Sequence, residues 1–473
     1  MKGRLRRIHG SACRGSGDTG FSHAPDQAVM SHRLATNVTA IALALIASAA
    51  ADQTFAQSAP QPVVLVRAGN LFDSEAGRMV GPRDILIRGE RVAEVGEGLS
   101  APEGATVLDL RRCSVIPGLI DAHTHLLLEQ RSGEGLSDVA ARDQAVQGDV
   151  YRTLAAAGRA REYLEAGFTT VRDLGNSGRF LDLVLERAVN DGRVVGPRIY
   201  SSGPGLAPAG GQMEPLPGDP HDLVNGEYRI VTGVEDARAA VREAIARGAD
   251  VIKVYPEATP QRTRLSVEEI AAIVSEAKRH NIPVAAHATS DASIREAIDA
   301  GVTSIEHGYD ISDETLRLMA RNGVWLVPTD PSLEMALEFT RSWPEQPPRE
   351  EVDRHLQAGR DRLMRAHRAG VRIALGSDLY FPYAPGRGAG SRGTLEGYVE
   401  AGLTPAQALR SATWEAGRML GDEGLGVVRP RAWADLVVLA SDPSQGLSAL
   451  KTPWAVIKGG RVVAGESRDC PTG

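Results

Sequence analysis

Residues 115–125 of this 473-residue chain read Val115-Ile-Pro-Gly-Leu-Ile-Asp-Ala-His-Thr-His125. The apolar run Val115–Ile120 predicts a buried strand, and two histidines follow where that strand ends. Because alternate residues of an extended strand point to the same side, His123 and His125 are positioned to bind one ion together. The alternative interpretation is a pair of polar loop histidines, since a His-x-His spacing is not specific on its own.

Seven further apolar runs follow, and longer segments with helical spacing lie between them. One such segment is Val267–His280, where Ser266 is a suitable N-cap and Glu269 completes a capping box. Strands that alternate with helices are typical of parallel sheets, and eight strands are the number that a closed barrel requires. We therefore predict the α/β fold class, as a (β/α)8 TIM barrel. The predicted barrel strands are Val115–Ile120, Thr169–Arg172, Arg198–Ser202, Val251–Tyr255, Pro283–His287, Thr303–His307, Val324–Pro328 and Arg372–Gly376.

Short strands without intervening helices flank the predicted barrel on both sides. We assign residues 62–114 and 425–466 to one small β-sandwich built from both chain ends, and residues 115–424 to the barrel domain. Gly459-Gly460 predicts a hairpin between the last two strands. The predicted strands are Val63–Arg67, Asp84–Arg88, Arg91–Val95, Thr106–Leu110, Gly426–Val428, Asp435–Leu439, Ala455–Lys458 and Arg461–Val463.

Residues 1–56 are expected to be an N-terminal extension and signal peptide. An arginine precedes the apolar stretch Val38–Ala51, and small residues continue to Ala56, which is the order found in secretory signals. Cleavage near Ala51 or Ala56 would give a secreted or periplasmic protein. The apolar stretch is too short to predict a membrane span, so none is expected in the mature form. Met30 is an alternative start of the chain.

The composition restricts the class of partner. A formal net charge of -7 argues against nucleic-acid binding, which needs a basic surface. The three cysteines, Cys13, Cys113 and Cys470, show no C-x-x-C spacing, so a cysteine-based zinc site is not expected. A disulfide between Cys113 and Cys470 would suit an oxidising compartment, and isolated thiols are the alternative.

Three more metal-binding side chains stand at the ends of predicted strands: His287, His307 and Asp378. Any one of them alone would more often be a polar core or surface residue. Because the parallel strands of a barrel end at one rim, all of them at equivalent positions favour a metal site there. Imidazole and carboxylate ligands suit zinc and similar divalent ions.

Lys253 lies inside the otherwise apolar strand Val251–Tyr255. Burial of a lysine ammonium costs free energy unless the group is paired or chemically altered. Pairing with a neighbouring acid is one interpretation. The other is carboxylation of Nζ, in which the neutral amine takes up CO2 and the resulting anion bridges two cations about 3.5–4 Å apart.

Two long insertions follow predicted strands. Gly203–Arg229 is rich in glycine and proline, and Pro328–Glu351 carries Trp343 and several prolines. Loops of this length are usually lids or binding loops. We favour that interpretation over a disordered surface excursion, because both insertions leave the predicted carboxyl ends of strands.

Taken in order, these motifs resemble the amidohydrolase superfamily, in its imidazolonepropionase-like and Xaa-Pro dipeptidase-like branch. The resemblance covers residues 62–466, nearly the whole mature chain. Each motif alone is common, whereas the ordered set is highly specific. The motifs that carry the resemblance are Val115-Ile-Pro-Gly-Leu-Ile-Asp-Ala-His-Thr-His125, Gly167-Phe-Thr-Thr-Val-Arg-Asp-Leu-Gly175, Asp250-Val-Ile-Lys-Val-Tyr255, the strand ends at His287 and His307, and Gly376-Ser-Asp378.

By this resemblance, the site would hold two divalent metal ions, with Zn2+ expected, and carboxylated Lys253 would bridge them. A hydroxide would lie between the ions, Asp378 would take its proton and pass it to the leaving amine, and one ion would polarise the scissile carbonyl. The more buried ion would be bound by His123, His125, Lys253 and Asp378, and the other by Lys253, His287 and His307.

The resemblance also suggests substrate-binding residues. Tyr255 resembles a family residue that hydrogen-bonds the substrate carbonyl or carboxylate, with core packing as the alternative. Arg172 would pair with a substrate carboxylate or form a structural ion pair. Gln212 stands where many relatives carry a histidine after two glycines, and this chain also lacks the family's His-Gly pair after the last barrel strand. Arg387 or Arg392 would supply positive charge there, unless that stretch is a solvated loop.

The expected activity is hydrolysis of a C–N amide bond in a small peptide-like substrate: a dipeptide such as Xaa-Pro, an N-acyl amino acid, or an ochratoxin-type amide. A mononuclear deaminase or a cyclic-amide or lactone hydrolase is the alternative. A bridging Lys253 argues against it, and so does Ser290, which replaces the glutamate of a deaminase His-x-x-Glu motif after His287. A non-catalytic binding protein is the third interpretation. The family also implies assembly into homo-oligomers.

Overall fold

The computed structural model describes residues 62–215, 221–258, 262–341, 343, 345–466 and 470. The predicted N-terminal extension and signal peptide lie outside the described residues. Among the described helices, none is both long and apolar enough to cross a membrane.

The strands are numbered here along the described residues. They are β1 Val63–Asp73, β2 Arg78–Met79, β3 Arg83–Arg88, β4 Arg91–Gly96, β5 Thr106–Pro117, β6 Leu119–Thr124, β7 Phe168–Asp173, β8 Arg198–Ser201, β9 Gly205–Ala207, β10 Tyr228–Ile230, β11 Ile252–Val254, β12 Val284–Ala288, β13 Ser304–His307, β14 Trp325–Val327, β15 Arg372–Ile373, β16 Leu436–Leu439, β17 Ala455–Lys458 and β18 Arg461–Gly465.

The helices lie mainly between the barrel strands. They are α1 Leu136–Ala141, α2 Gly148–Glu165, α3 Leu181–Asn190, α4 His221–Glu227, α5 Val234–Arg247, α6 Val267–Arg279, α7 Asp291–Ala300, α8 Asp313–Asn322, α9 Leu333–Arg341, α10 Arg349–Arg368, α11 Arg387–Ala401, α12 Pro405–Arg410 and α13 Ala416–Leu420. A π-helical segment, Arg142–Gln147, joins α1 to α2, a second one, Ser411–Glu415, joins α12 to α13, and Leu447–Lys451 forms a 3-10 helix. The predicted capping box of α6 is confirmed, because Ser266 accepts a hydrogen bond from the Glu269 amide.

The first and last strands that the structure describes meet in one small sheet. β5 pairs in parallel with β1 and antiparallel with β16, so strands from both ends share the path β18-β17-β16-β5-β1-β3-β4, with β2 beside β1. The predicted hairpin at Gly459-Gly460 is confirmed, and both glycines have the positive φ that a tight turn requires. Gly426–Val428 was wrongly predicted as a strand: it is irregular, and Gly426 has a φ of 64°, which an extended strand does not allow.

The barrel consists of β6 to β8 and β11 to β15, and its strands pair in parallel. Backbone hydrogen bonds close it at both seams. The Ala122 amide donates to the Leu375 carbonyl at 2.8 Å, and the Asp250 amide donates to the Ser201 carbonyl at 2.9 Å. The predicted (β/α)8 barrel is therefore confirmed.

The first barrel strand begins later than predicted. Val115–Pro117 belongs to β5, because it pairs with β16 in the small sheet. Gly118 separates it from β6, and a Cβ at Gly118 would collide with the Thr169 side chain. The whole of Val115–Ile120 was predicted as a barrel strand because the run is apolar throughout. The small sheet and the barrel both bury apolar residues at this point, so the sequence does not show where one strand ends and the next begins.

Both long insertions contain secondary structure. Gly203–Arg229 holds β9 and α4, and Pro328–Glu351 holds α9. β9 pairs with β11, so the first insertion lies beside the strand that carries Lys253. The second insertion leaves β14 at the same rim of the barrel.

A disulfide joins Cys113 to Cys470, with the Cα atoms 6.0 Å apart. It connects β5 to the far end of the chain, and both cysteines belong to the apolar core of the small sheet. The sequence left open whether these two cysteines are isolated thiols or a disulfide, and the structure has the disulfide.

Candidate metal centre

The carboxyl ends of the barrel strands bring the predicted metal-binding residues to one cavity of about 590 Å³. Parallel strands of a barrel end at one rim, so side chains that are far apart in sequence meet there. The structure brings all six together: the cavity is lined by His123, His125, Lys253, His287, His307 and Asp378.

Asp378 lies at the centre of this group. Its Oδ1 is 3.0 Å from His125 Nε2 and 3.5 Å from His123 Nε2, and its Oδ2 is 3.9 Å from His307 Nδ1. The ring centroids of His287 and His307 are 4.6 Å apart. Donor atoms of His123, His307 and Asp378 lie within 4.8 Å of one another. Imidazoles and a carboxylate at this spacing fit a divalent ion of the zinc type.

His123, His287 and Asp378 have the protonation states that metal binding requires. Burial lowers the pKa of His123 to about 4 and that of His287 to about 3, so both imidazoles are neutral and keep a lone pair for a metal ion. Burial by itself would raise the pKa of Asp378, but His123 and His125 hold that pKa well below its ordinary value. Asp378 is therefore an anion at neutral pH.

Lys253 is buried in the middle of β11, with 1% of its surface exposed. Burial lowers the pKa of its amine to about 8, so a sizeable fraction of the amine is neutral in mildly alkaline solution. Glu306 and Asp378 interact electrostatically with this amine and raise its pKa, but burial outweighs them. Of these two acids, Glu306 is already bonded to Arg172 and His123, so it is not a partner of Lys253 alone.

Glu306 holds the first histidine in place. His123 Nδ1 lies 2.8 Å from Glu306 Oε2, and because a carboxylate only accepts, Nδ1 carries the proton and Nε2 faces the cavity. Burial would raise the pKa of Glu306, but Arg172 and His123 outweigh it and lower that pKa to about 2. Glu306 was not predicted from the sequence, although a glutamate inside the predicted strand Thr303–His307 was a visible signal.

Two other histidines are oriented in the same way. His125 Nδ1 donates to the Gly175 carbonyl at 3.0 Å, which leaves Nε2 for the cavity. His307 Nδ1 lies 2.9 Å from Thr329 Oγ1. Groups that bind the far nitrogen of a ligand histidine fix its tautomer and the direction of its ring. Gly175 closes one of the quoted motifs, but nothing in the sequence pairs it with His125 or pairs Thr329 with His307.

Strained backbone marks the rim where the site lies. His307, Thr329 and Asp378 have φ values of 73°, 56° and 51°, in the left-handed region that residues with a Cβ rarely adopt. Such conformations cost about 1–3 kcal/mol each and are concentrated at functional sites. After three neighbouring strands, the backbone therefore adopts conformations that direct polar side chains towards the site.

Tyr255 and Gln212 also line the cavity, as expected of substrate-binding residues. Tyr255 Oη lies 3.4 Å from Asn176 Oδ1, and Gln212 Nε2 donates to the Glu257 carbonyl at 2.6 Å. Residues that the sequence analysis did not single out complete the described wall: Leu128, Gln130, Leu136, Asn176, Glu214, Tyr228, Tyr309 and Tyr380.

Arg172 and Arg387 are placed away from the cavity wall. Arg172 is fully buried; it donates to Glu306 Oε1 at 2.9 Å and to the Ala122 carbonyl at 2.6 Å. This geometry favours the structural ion pair over contact with a substrate carboxylate. Arg387 begins α11 and donates to four backbone carbonyls, including that of His125, so it supports the ligand loop instead of facing a substrate. The stretch that includes Arg392 is likewise helical and is not a solvated loop.

Comparison with known proteins agrees with this geometry. The amidohydrolase family model matches residues 114–465. An ochratoxinase from Aspergillus niger is 32% identical over 445 residues, which cover 85% of this chain and 87% of the relative. A solved structure of a Xaa-Pro dipeptidase with bound methionine in the active site is 30% identical, with a TM-score of 0.73, and the match covers 85% of this chain and 100% of that one.

An imidazolonepropionase from Anaeromyxobacter dehalogenans is 27% identical, and the match covers 82% of this chain and 92% of the relative. The family model spans the barrel and the C-terminal strands. From the barrel, the residues at its rim and these matches, we conclude that the chain belongs to the amidohydrolase family.

Proposed function

We propose that this amidohydrolase, a hydrolase of carbon–nitrogen bonds, cleaves the amide bond of small peptide-like substrates with two divalent metal ions. The candidate substrates are N-acyl amino acids, including amides of the ochratoxin type, and dipeptides such as Xaa-Pro. The observation that carries the proposal is Lys253, almost completely buried in a cavity that four histidines and Asp378 also line. The ochratoxinase and Xaa-Pro dipeptidase relatives support the substrate class.

The ligand set divides between two ions that share Lys253. His123, His125 and Asp378 would hold one ion, and His287 and His307 the other, with carboxylated Lys253 between them. When bound, the ions would polarise the scissile carbonyl and make water acidic enough to attack at neutral pH. Zinc suits this mixture of imidazole and carboxylate donors.

Carboxylation of Lys253 is chemically consistent with its surroundings. The lone pair of the neutral Nζ attacks the carbon of CO2, an N–C bond forms, and the proton lost from nitrogen leaves an anionic carbamate. Only the neutral amine reacts, and burial lowers the pKa of Lys253 to about 8. Burial thus disfavours the bare ammonium and leaves an amine that can react.

Asp378 would move the proton during the reaction. Its carboxylate is an anion at neutral pH and lies within 4 Å of three imidazoles, so a proton that it accepts from water can be passed to the leaving amine. A bound substrate would lie against Tyr255, whose hydroxyl can donate to a carbonyl or carboxylate oxygen. Gln212 contributes an amide to the same wall.

The test is a substrate screen with metal counted in parallel. Zinc-loaded enzyme is incubated with dipeptides, N-acyl amino acids, cyclic amides and lactones, and Asp378→Asn serves as the inactive control. Hydrolysis of linear amides by enzyme that carries about two ions per chain supports the proposal. Deamination or ring opening with about one ion per chain supports the mononuclear alternative. Failure to bind metal would contradict both.

A further inference from the structure

Asp121 is a buried acid that the proposed mechanism does not use. It lies in β6, two residues before the predicted metal ligand His123, and its side chain has no exposed surface. It belongs to the sequence motif that begins at Val115, in which only the two histidines have been given a role. Burial of a carboxylate costs free energy unless hydrogen bonds satisfy it, so its hydrogen-bond partners indicate what it does.

One oxygen of Asp121 joins two segments of the metal centre. Its Oδ1 accepts a hydrogen bond from the His123 amide at 3.1 Å and another from the Ser377 amide at 3.0 Å. Because Ser377 directly precedes Asp378, this oxygen links the strand of a predicted histidine ligand to the segment that carries the predicted aspartate ligand. The other oxygen, Oδ2, accepts from the Ser391 hydroxyl of α11 at 2.6 Å.

These bonds lie at a seam where the barrel closes. On one side, the backbone bond from the Ala122 amide to the Leu375 carbonyl joins the two segments. On the other side, the Asp378 amide donates to the His123 carbonyl at 2.8 Å. Between them, the Ser377 amide donates to the buried carboxylate. A side chain therefore supplies the acceptor that a backbone carbonyl supplies elsewhere along the seam, next to the left-handed φ of Asp378.

The two segments approach each other closely at this point. Gly376 has no side chain, and a Cβ there would lie 2.7 Å from the Cβ of His123. Removal of the Asp121 carboxylate would leave two buried amides without an acceptor, and they could be satisfied only if the segments moved. Such a movement would change the separation of His123 Nε2 and Asp378 Oδ1, which are 3.5 Å apart.

One face of α11 supports both histidines of the motif. Arg387 and Ser391 are four residues apart in this helix, so they lie on the same face. Arg387 donates to the His125 carbonyl at 2.6 Å, and Ser391 reaches the His123 amide through Asp121. This is the stretch in which the chain lacks the His-Gly pair of many relatives, and its side chains hold the backbone around the histidines instead.

We propose that Asp121 is a positioning residue of the metal centre, and that its carboxylate, held by Ser391, fixes the separation of His123 and Asp378. The inference rests on the metal ions of the proposed function. The role depends on an oxygen placed between two amides. Asparagine keeps one such oxygen, and its amino group can donate to the Ser391 hydroxyl, so it should preserve the role.

The test measures zinc affinity by competition against a chelator, together with the visible absorption spectrum of the cobalt-loaded protein. Asp121→Ala should lower zinc affinity about 10- to 100-fold and change the cobalt spectrum, because the ligands move. Asp121→Asn should restore most of the affinity and the wild-type spectrum. Asp121→Ser, which is too short to reach both amides, replaces an alanine variant that fails to fold and should show the same loss.

Asp84→Ala is the matched control. Asp84 is also a buried aspartate, and it accepts from the Leu99 amide at 2.8 Å, but it lies in β3 of the small sheet. This variant should lose stability in urea unfolding and keep both the zinc affinity and the cobalt spectrum. The comparison therefore separates the positioning of ligands from a general loss of stability.

Two results would overturn the inference. One is an Asp121→Ala or Asp121→Ser protein with the zinc affinity and cobalt spectrum of the wild type, whatever its stability. The other is an Asp121→Asn protein that loses as much affinity as the alanine variant, because the placed oxygen would then not be what matters. A wild type that binds zinc but cleaves no linear amide contradicts the proposed function alone, and a wild type that binds no zinc contradicts both.

Discussion

At the scale of single residues, the site depends on a buried chain of three groups. Arg172 donates to one oxygen of Glu306, and the other oxygen accepts from His123. All three side chains are almost completely buried. The arrangement fixes a neutral histidine at the bottom of the cavity, because Glu306 remains a carboxylate only while Arg172 balances it.

Arg172→Met should therefore destabilise the fold. Loss of one partner leaves the Glu306 charge buried and unpaired, which costs about 3–5 kcal/mol in free energy of unfolding. Arg161→Met is the control, because Arg161 pairs with Glu165 on the exposed surface of α2 and its loss should cost about 0–1 kcal/mol. Urea unfolding of both variants measures the difference. Unchanged stability with a raised KM would favour the other interpretation, that Arg172 binds a substrate carboxylate.

Thr329 should control zinc affinity through His307. Thr329→Val keeps the branched side chain at the same strained φ but removes the hydroxyl that lies 2.9 Å from His307 Nδ1. Zinc affinity is expected to fall about 10- to 100-fold, as is usual when the partner of a ligand histidine is lost. Competition against a chelator measures it, and Thr329→Ser should restore most of the affinity. Equal affinity in all three proteins would mean that Thr329 does not orient the histidine.

The sequence predicted the ligand residues better than their supports. His287, His307 and Asp378 stand out because each ends an apolar run, and parallel strands end together. Glu306 and Thr329, which hold ligand histidines in place, could not be assigned from the sequence. Each contacts a histidine that belongs to another strand. For Arg172 the sequence left two interpretations, and only the burial of its guanidinium beside Glu306 separates them.

At the scale of helices and strands, close packing of α11 positions the loop that follows the last barrel strand. A Cβ at Gly388 would collide with the side chain of Ala166 and with the carbonyl of Glu162, so α11 and α2 touch through their backbones. Arg387 lies next to this contact and holds the His125 carbonyl. The contact between α11 and α2 is therefore next to the residue that holds the backbone of the predicted metal ligand His125.

Two glycine variants test this contact. Gly388→Ala should destabilise the protein by about 1–3 kcal/mol, because the added methyl overpacks the interface. Gly158→Ala is the matched control: it lies within α2, nothing lies within 4 Å of its Cβ position, and alanine should stabilise the helix by about 0.5–1 kcal/mol. Chemical unfolding of both variants is the measurement. Equal effects would show that α11 can move away from α2.

The sequence predicted most elements of the fold, and its errors have physical causes. The barrel strands were visible because fully buried parallel strands are short apolar runs. β9 and β10 were missed because three residues among glycines and prolines give no periodic signal. The boundary at Gly118 was missed because the residues on both sides of it are apolar. Only the close contact between Gly118 and Thr169 marks the change from β5 to β6.

At the scale of the whole molecule, strands from the first and last described parts of the chain share one sheet, and a disulfide cross-links these parts. The disulfide between Cys113 and Cys470 spans 357 residues, and β16 to β18 continue the sheet that β1 and β5 begin. Export through a cleaved signal peptide and assembly into homo-oligomers stay predictions. An oxidising compartment is the environment in which such a disulfide persists.

Cys470→Ser should lower the free energy of unfolding by about 2–5 kcal/mol, because the cross-link closes a very long loop of the unfolded chain. Urea unfolding with and without a reducing agent measures the effect. Reducing agent should destabilise the wild type by a similar amount and leave Cys470→Ser unchanged. An insensitive wild type would mean that the disulfide does not contribute to stability.

We propose that carboxylated Lys253 joins two metal ions. The measurement that tests it most directly is the metal content of the purified chain, counted by mass spectrometry after loading with zinc in the presence and absence of CO2. Lys458→Met is the matched control for Lys253→Met, because burial also lowers the pKa of Lys458 to about 8 while its Nζ donates to the Gly196 carbonyl in another part of the structure.

We expect about two ions per chain in the wild type and in Lys458→Met when CO2 is present. Lys253→Met should lose at least one of these ions, and so should wild type loaded without CO2. A Lys253→Met protein that still binds about two ions, or a wild type whose metal content does not respond to CO2, would contradict the account.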